Sequence, residues 1–296
     1  MKNTSKNWLL AIRPKTLPAA VAPIVAAAAL SFASPYALRI DLVILAALCA
    51  LSLQILVNLA NDYSDAFSGV DGSKRLGPVR VTQAGLISPA AMKKAIGLFI
   101  LLSVISGAPL VFAGGWLFAL LGCFCILAAL GYSGGKFPLA SNYLGEFAVL
   151  VFFGLVAVVG ASFIFTQHLL PQSWLLALNV GLPISAIMLV NNTRDIPTDA
   201  PAKKRTLAVL IGRKQASMLF AVLLATPVFL TLIAAILGFV GFEWLVAAVF
   251  SLFFIMPICK KFVVCDGGEF NDLLARTAKF SLLNSLFFSA AILLAA

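Results

Sequence analysis

Nine stretches of about 17 to 25 apolar residues run through the chain, each long enough to cross the hydrocarbon core of a bilayer as a helix. They fall at roughly 16 to 34, 40 to 61, 92 to 113, 115 to 132, 144 to 166, 174 to 193, 216 to 238, 241 to 259 and 274 to 295. In lipid, backbone polar groups must be satisfied within a helix or a closed barrel, and unbroken runs of this length fit only helices. The expected fold class is all-α, a polytopic membrane protein with nine transmembrane helices in a single integral-membrane domain, 1 to 296. A composition of 62% hydrophobic and 11% charged residues excludes an ordinary soluble domain.

The linkers alternate in kind. "SPYALRID", "AGG", "TQHLLPQS" and "GFVGFE" are short, whereas the other linkers and the N-terminus carry nearly all the charge. Of the 21 lysines and arginines, only Arg39 falls on the short-linker side. The positive-inside rule then places the N-terminus and the long loops in the cytoplasm, and nine crossings place the C-terminus outside. The expected location is a bacterial cytoplasmic (inner) membrane. The net charge of +10 is read as a topology signal plus attraction to anionic lipid headgroups, and no nucleic-acid partner is expected. The five cysteines lack C-x-x-C spacing and lie mostly in apolar runs, which fits packing rather than metal or redox work. The lone His168 sits in a short link with no second metal-ligating residue near it in sequence. The N-terminal apolar run is too short for a signal segment.

The acids need a separate explanation. Of 11 carboxylates, only Asp41 and Glu243 belong to the outer side. In "NLANDYSD", Asn58 and Asp62 are four residues apart, so a helix projects them from one face, with Asn61 and Asp65 close by. "NNTRDIPTD" repeats the spacing with Asn191, Asp195 and Asp199 at the end of another span. These stretches, 58 to 65 and 191 to 199, form an internal repeat that opens on one side of the membrane. Carboxylates at membrane helix ends are costly unless paired, solvated or bound to cations. A capped, wet helix end with Arg194 pairing a neighbour explains one such cluster; two copies favour a ligand site. Hard oxygen donors suit Mg²⁺, which takes one or two carboxylates plus phosphate oxygens. Lys74, Arg75 and Arg80 follow the first cluster, and Lys203, Lys204 and Arg205 the second, as phosphate-binding cations. Tyr132 and Lys136, in "GYSGGKFPL", end the fourth span on the same side; Tyr132 reads either as part of the site or as an interfacial anchor. Asp62→Asn is expected to leave the fold intact, an Asn satisfying the same hydrogen bonds at a wet helix end.

These residues resemble the intramembrane aromatic prenyltransferases of the UbiA superfamily. N-x-x-x-D at 58 to 62, Y-x-x-x-K at 132 to 136 and D-x-x-x-D at 195 to 199 stand in that family's order. "RPKTLPAAVAP", "GPVRVTQAG" and "NNTRDI" are most similar to its 1,4-dihydroxy-2-naphthoate polyprenyltransferase branch, in menaquinone synthesis. The resemblance implies a nine-helix UbiA-type bundle with a cytoplasm-facing active site, and a Mg²⁺-dependent transfer of a long polyprenyl group from its diphosphate to 1,4-dihydroxy-2-naphthoate. The acceptor would lose its carboxylate as CO₂ to give demethylmenaquinol. It implies catalytic roles for Asn58, Asp62, Asp65, Tyr132 and Asp195. Diphosphate binding would fall to Lys74, Arg75, Arg80, Lys136, Asn191, Lys204 and Arg205, and metal binding to Asp62, Asp65, Asp195 and Asp199. Two features depart from the family pattern. The expected second aspartate of the first motif is Ala66, with Asp65 and Asp71 nearby, and Pro197 splits the last motif, so which of Asp65, Asp71 and Asp199 complete the metal sites stays open. The rivals are a sibling enzyme using 4-hydroxybenzoate or homogentisate, a transporter and a structural scaffold. A transporter should carry polar groups near the bilayer midplane, and the outer halves of these spans read as almost wholly apolar.

Overall fold

The computed structural model describes residues 4–68, 77 and 79–296. Its elements in chain order are α1 (Ser5–Ile12), α2 (Leu17–Phe32), α3 (Ile40–Ser68), α4 (Pro89–Gly114), α5 (Trp116–Gly131) and α6 (Gly145–Val149). A π-helical stretch, Leu150–Gly160, continues α6 directly into α7 (Ala161–Thr166). Then come α8 (Gln172–Arg194), α9 (Ile196–Asp199), α10 (Leu207–Ile236), α11 (Phe242–Val264) and α12 (Phe270–Leu294).

Among the described residues, eight helical segments are long and apolar enough to cross a membrane, and α5 adds a shorter apolar helix of 16 residues. Each of the nine expected spans coincides with one of these segments. The 4-residue α9 is a separate turn because Pro197 cannot continue α8, which ends at Arg194. The apolar run of α10 begins after Gly212, whose φ of 77° breaks the helix between its first turn and its long span.

The most buried span is α8, which packs on the α6–α7 rod, α10, α12 and α2. Apolar burial cannot drive helices together in lipid, so close backbone contact and buried hydrogen bonds take over. Both are present. A Cβ placed on Gly181 of α8 would lie 2.7 Å from Gly154 Cα, so this crossing admits no side chain on either strand of the contact. Along the bundle interior, Asn179 Nδ2 donates to Thr231 Oγ1 (3.0 Å), Asn284 Nδ2 to the Asn179 carbonyl (2.7 Å) and Ser251 Oγ to Asn284 Oδ1 (2.6 Å). The interior is therefore less uniformly apolar than the sequence reading held. The network is neutral and bonded to itself, as expected of interhelical glue.

One end of the bundle gathers α1, the C-termini of α3, α5 and α8, and the N-termini of α4 and α12. Here Ala11, Leu59, Val81, Ile87 and Met92 form a small apolar cluster under α1 and residues 79–88. At the other end the His168 ring stacks on Tyr36 at 3.6 Å. An apolar groove of about 630 Å³ between α8 and α10, lined by Trp174, Leu178, Ile233 and Phe239, lies there too, far from the acidic motifs.

Candidate active site

The first N-x-x-x-D motif occupies the last turns of α3. Its two key side chains reach in different directions. Asn58 donates to the Ile12 carbonyl (2.8 Å) and to Thr16 Oγ1 (3.0 Å), which fixes the bend between α1 and α2. Gln54, one turn earlier, donates to Asn58 Oδ1 at 3.4 Å. Asp62 accepts from two successive backbone N–H groups, Val81 and Thr82, each at 2.9 Å. Asp65 forms an ion pair with Arg80, on the same clamped segment. The wet helix end expected from sequence is dry at this point: Asp62 is 1% exposed. The expectation that Asn would serve equally well fails for a physical reason. Two N–H donors face the two oxygens, and an amide offers only one acceptor. Asn61 Oδ1 is buried beside them without a hydrogen-bond partner among the described residues.

The second motif is organised by a residue that sequence reading treated as a mere partner. Arg194 is buried, and its guanidinium meets both oxygens of Asp195 at 2.8 Å. It also donates to Asn191 Oδ1 (2.9 Å) and, across to α12, to Asn271 Oδ1 (2.8 Å). Charge-assisted, two-pronged contacts of this kind fix orientation as well as charge. Asp199 follows one turn later, its amide donating to the Asp195 carbonyl at 2.7 Å, and its carboxylate meets Lys204 at 3.2 Å. The pairing that the simpler reading foresaw for Arg194 is present, in Asp195, and two further side-chain oxygens, of Asn191 and Asn271, turn toward the same guanidinium.

The chain between α5 and α6 joins the two motifs. A Cβ on Gly134 would lie 2.9 Å from Ser64 Oγ, so this turn rests against the end of α3. A Cβ on Gly145 would lie 3.3 Å from the Tyr132 hydroxyl and 3.7 Å from Asn192 Nδ2, which brings Tyr132 to the end of α8. Backbone pairing of Tyr143 N with the Arg205 carbonyl (2.9 Å) ties the same segment to the loop after α9. Lys136, beyond Gly135 with its φ of 82°, is exposed, as are Lys203 and Arg205. Lys74, Arg75 and Asp71 lie outside the described residues.

Sequence reading passed over Glu146. It heads an apolar span, and an acid in that place is itself a signal of function. It is 5% exposed, and its Oε1 accepts from Asn192 Nδ2 at 2.8 Å.

Among the described residues, no three His, Cys, Asp or Glu side chains converge as a ready-made metal cage. The donor set still fits Mg²⁺: hard carboxylate and amide oxygens at a membrane helix end, including the orphaned Asn61 oxygen, with cations beside them for phosphate. Such a site is completed by the substrate's own oxygens.

The UbiA prenyltransferase family profile matches residues 20–292. The chain belongs to the UbiA prenyltransferase family. It is 34% identical to the 1,4-dihydroxy-2-naphthoate octaprenyltransferase of Haemophilus influenzae, the match covering 98% of this chain and 96% of that one. To the protein of the same name from Mycobacterium tuberculosis it is 40% identical over 77% of each. Among solved structures, a UbiA homologue from Archaeoglobus fulgidus bound to DMAPP and Mg²⁺ superimposes with a TM-score of 0.69 at 16% identity, covering 97% of this chain and 99% of that one. The likeness to that structure is one of fold. As a UbiA prenyltransferase the chain is an integral, multi-pass membrane protein, and the α5–α6 link touches both the end of α3 and the end of α8 at one end of the bundle.

Proposed function

We propose that this enzyme transfers a long polyprenyl group from polyprenyl diphosphate to 1,4-dihydroxy-2-naphthoate, with loss of the acceptor's carboxylate as CO₂, at the cytoplasmic face of a bacterial inner membrane. The identity to the Haemophilus influenzae octaprenyltransferase over nearly the whole of both chains carries this reading. The site agrees with it. Three ion pairs, Arg80–Asp65, Arg194–Asp195 and Lys204–Asp199, hold each charge against a counter-charge at one end of the bundle. A diphosphate offers the cations a competing anion, which would free Asp65, Asp195 and Asp199 to hold a metal. Asp62, Asp65, Asp195 and Asp199 would hold Mg²⁺, with Asn191 beside Asp195 on the Arg194 guanidinium and Asn58 bracing the α1–α2 bend. When bound, the metal offsets the negative charge that builds on the departing diphosphate.

The protein's own groups do the remainder. Arg80 and Lys204, with Lys74 and Arg75 near the first in sequence, Arg205 next to the second and Lys136 on the α5–α6 link, bind the phosphate oxygens and are preorganised for the charge that develops there. The apolar bundle accepts the isoprenoid chain and keeps water from the allylic cation. Membrane lipid is the solvent for both the enzyme and the tail.

The test is an assay of purified enzyme with labelled prenyl diphosphate. Incorporation is expected with 1,4-dihydroxy-2-naphthoate and not appreciably with 4-hydroxybenzoate. Equal or reversed incorporation would remove the acceptor assignment and leave the family untouched.

The orientation has its own check. Of the basic residues, only Arg39 belongs to the end opposite the motifs. A cysteine introduced at exposed Lys203 should react only with cytoplasmic reagent, and one at Gln172, at the start of α8, only from the other side. Labelling of both from one side would break this topology.

A further inference from the structure

The Glu146 carboxylate is half used. Oε1 accepts from Asn192 Nδ2, and the Glu146 carbonyl accepts from Ser185 Oγ at 2.6 Å, so the residue is fastened to α8 at two points. Oε2 is buried with no hydrogen-bond partner among the described residues, and so is the hydroxyl of Tyr132, which the Glu146 charge reaches. Two orphaned polar atoms, each costing about 1–3 kcal/mol when left unpaired, sit near one another without bonding to one another. Gly145 lets the backbone lie close against both groups: a Cβ there would meet the Tyr132 hydroxyl at 3.3 Å and the Asn192 amide at 3.7 Å, with Met188 as the apolar wall. Asn192 lies in the last turn of α8 and Asp195 is the residue that caps it, three positions on, so Glu146 meets the helix about one turn before the Asp195 carboxylate. Among the described residues, the charged or titratable groups that interact with Glu146 are Tyr132, from the end of α5, and Lys204, from the loop after α9; α8 contributes the neutral Asn192 and Ser185.

We propose that Glu146 Oε2 is the base for the aromatic acceptor, taking the proton of the hydroxyl next to the carbon that is prenylated, with the Tyr132 hydroxyl beside it holding the ring. The inference rests on the acceptor reading given above. The balance closes within the site. The ring's π pair forms the new bond to the allylic carbon, whose former C–O pair leaves with diphosphate, and the hydroxyl proton passes to Glu146 as its oxygen becomes a ring carbonyl. Where the alkylated carbon carries the acceptor's carboxylate, the product of that step is a β-keto acid. Its C–CO₂ pair returns to the ring as CO₂ leaves, and Glu146 gives the proton back to the carbonyl oxygen. No oxidant or further acid is needed. A general base in this position is worth on the order of 10²-fold or more in rate.

The experiment compares wild type with Glu146→Gln in purified, Mg²⁺-supplied enzyme. The Gln carbonyl can still accept from Asn192, so the thermal midpoint and the affinity for prenyl diphosphate should match wild type. Turnover with 1,4-dihydroxy-2-naphthoate should fall about 10²-fold; wild type should lose activity as pH drops and the base is protonated, and this acid limb should be absent from the variant. Wild type should also discriminate strongly against the acceptor's 1-methyl ether, and Glu146→Gln should turn over both at one low rate. Wild-type turnover and an unchanged acid limb in Glu146→Gln would overturn the proposal. If that variant does not yield monodisperse protein, Glu146→Asp carries the test: it keeps the charge and withdraws it by one methylene, and full activity in it overturns the proposal equally. Failure of wild type to prenylate the naphthoate would be a different result, ending the acceptor reading and this inference with it.

Discussion

Asp195→Asn is expected to lower turnover by on the order of 10² to 10³-fold, the loss found when one charge-stabilising contact to a departing anion is removed. The structure makes this variant ambiguous alone, because the same carboxylate neutralises the buried guanidinium of Arg194 through two 2.8 Å contacts. Removing one partner of a buried pair costs about 3–5 kcal/mol where burial is complete, and less here, where Asp195 is partly exposed. Stability and turnover would therefore fall together. A second variant separates the two roles: adding Arg194→Gln removes the uncompensated cation while Gln can still donate to Asn191 or Asn271. If Asp195 serves only to neutralise Arg194, the double variant recovers both the thermal midpoint and the activity. If Asp195 acts on the metal-diphosphate, the midpoint recovers and the turnover does not. Coupling between neighbours of this kind is what a double-mutant cycle measures. The cycle should be run across a magnesium titration, since loss of a metal ligand also raises the magnesium concentration needed for half-maximal rate.

The spans were legible in the sequence because lipid leaves the chain little choice. A run of about 20 apolar residues must be a helix, and even the 16-residue α5, opened by Gly115 with a φ of 82°, falls inside an expected run. The residues of the acidic motifs were legible through their four-residue spacing. Their partners were not. Asn58 bonds to the Ile12 carbonyl 46 residues away, and Asp62 to the amides of residues 81 and 82; backbone groups carry no residue-type signature. The same limit hid the interior network, since Asn179, Thr231, Ser251 and Asn284 each look like a lone polar residue in its own apolar run. Glu146 differs. Its signal was visible, an acid at the head of an apolar span, but attention to paired motifs passed over a single residue whose partners, Asn192 and Ser185, lie about 40 positions on.

Asp62 is where the clamp and the chemistry meet on one side chain, and Asp62→Asn should damage both. In the native protein its oxygens hold the amides of Val81 and Thr82, and this segment carries Arg80, only 9% exposed, to Asp65. An Asn can accept one of these amides but must turn an N–H toward the other, leaving a buried donor unpaired at a cost of about 1–3 kcal/mol. The segment should then open more often, by roughly 5- to 150-fold for that free energy. Trypsin reads this directly. Cleavage of the Arg80–Val81 bond tracks the open population when opening is fast, so fragment appearance should accelerate by the same factor while the rest of the bundle stays intact. Turnover should fall by at least the 10²-fold of a lost charge contact, because Arg80 leaves with the segment. A role in metal binding alone predicts the turnover loss with unchanged cleavage after Arg80. A role in the clamp alone predicts that a second change pinning the segment, such as a disulfide between it and α4, restores both cleavage resistance and activity. Restored resistance with activity still low would assign Asp62 to the clamp and the diphosphate site together.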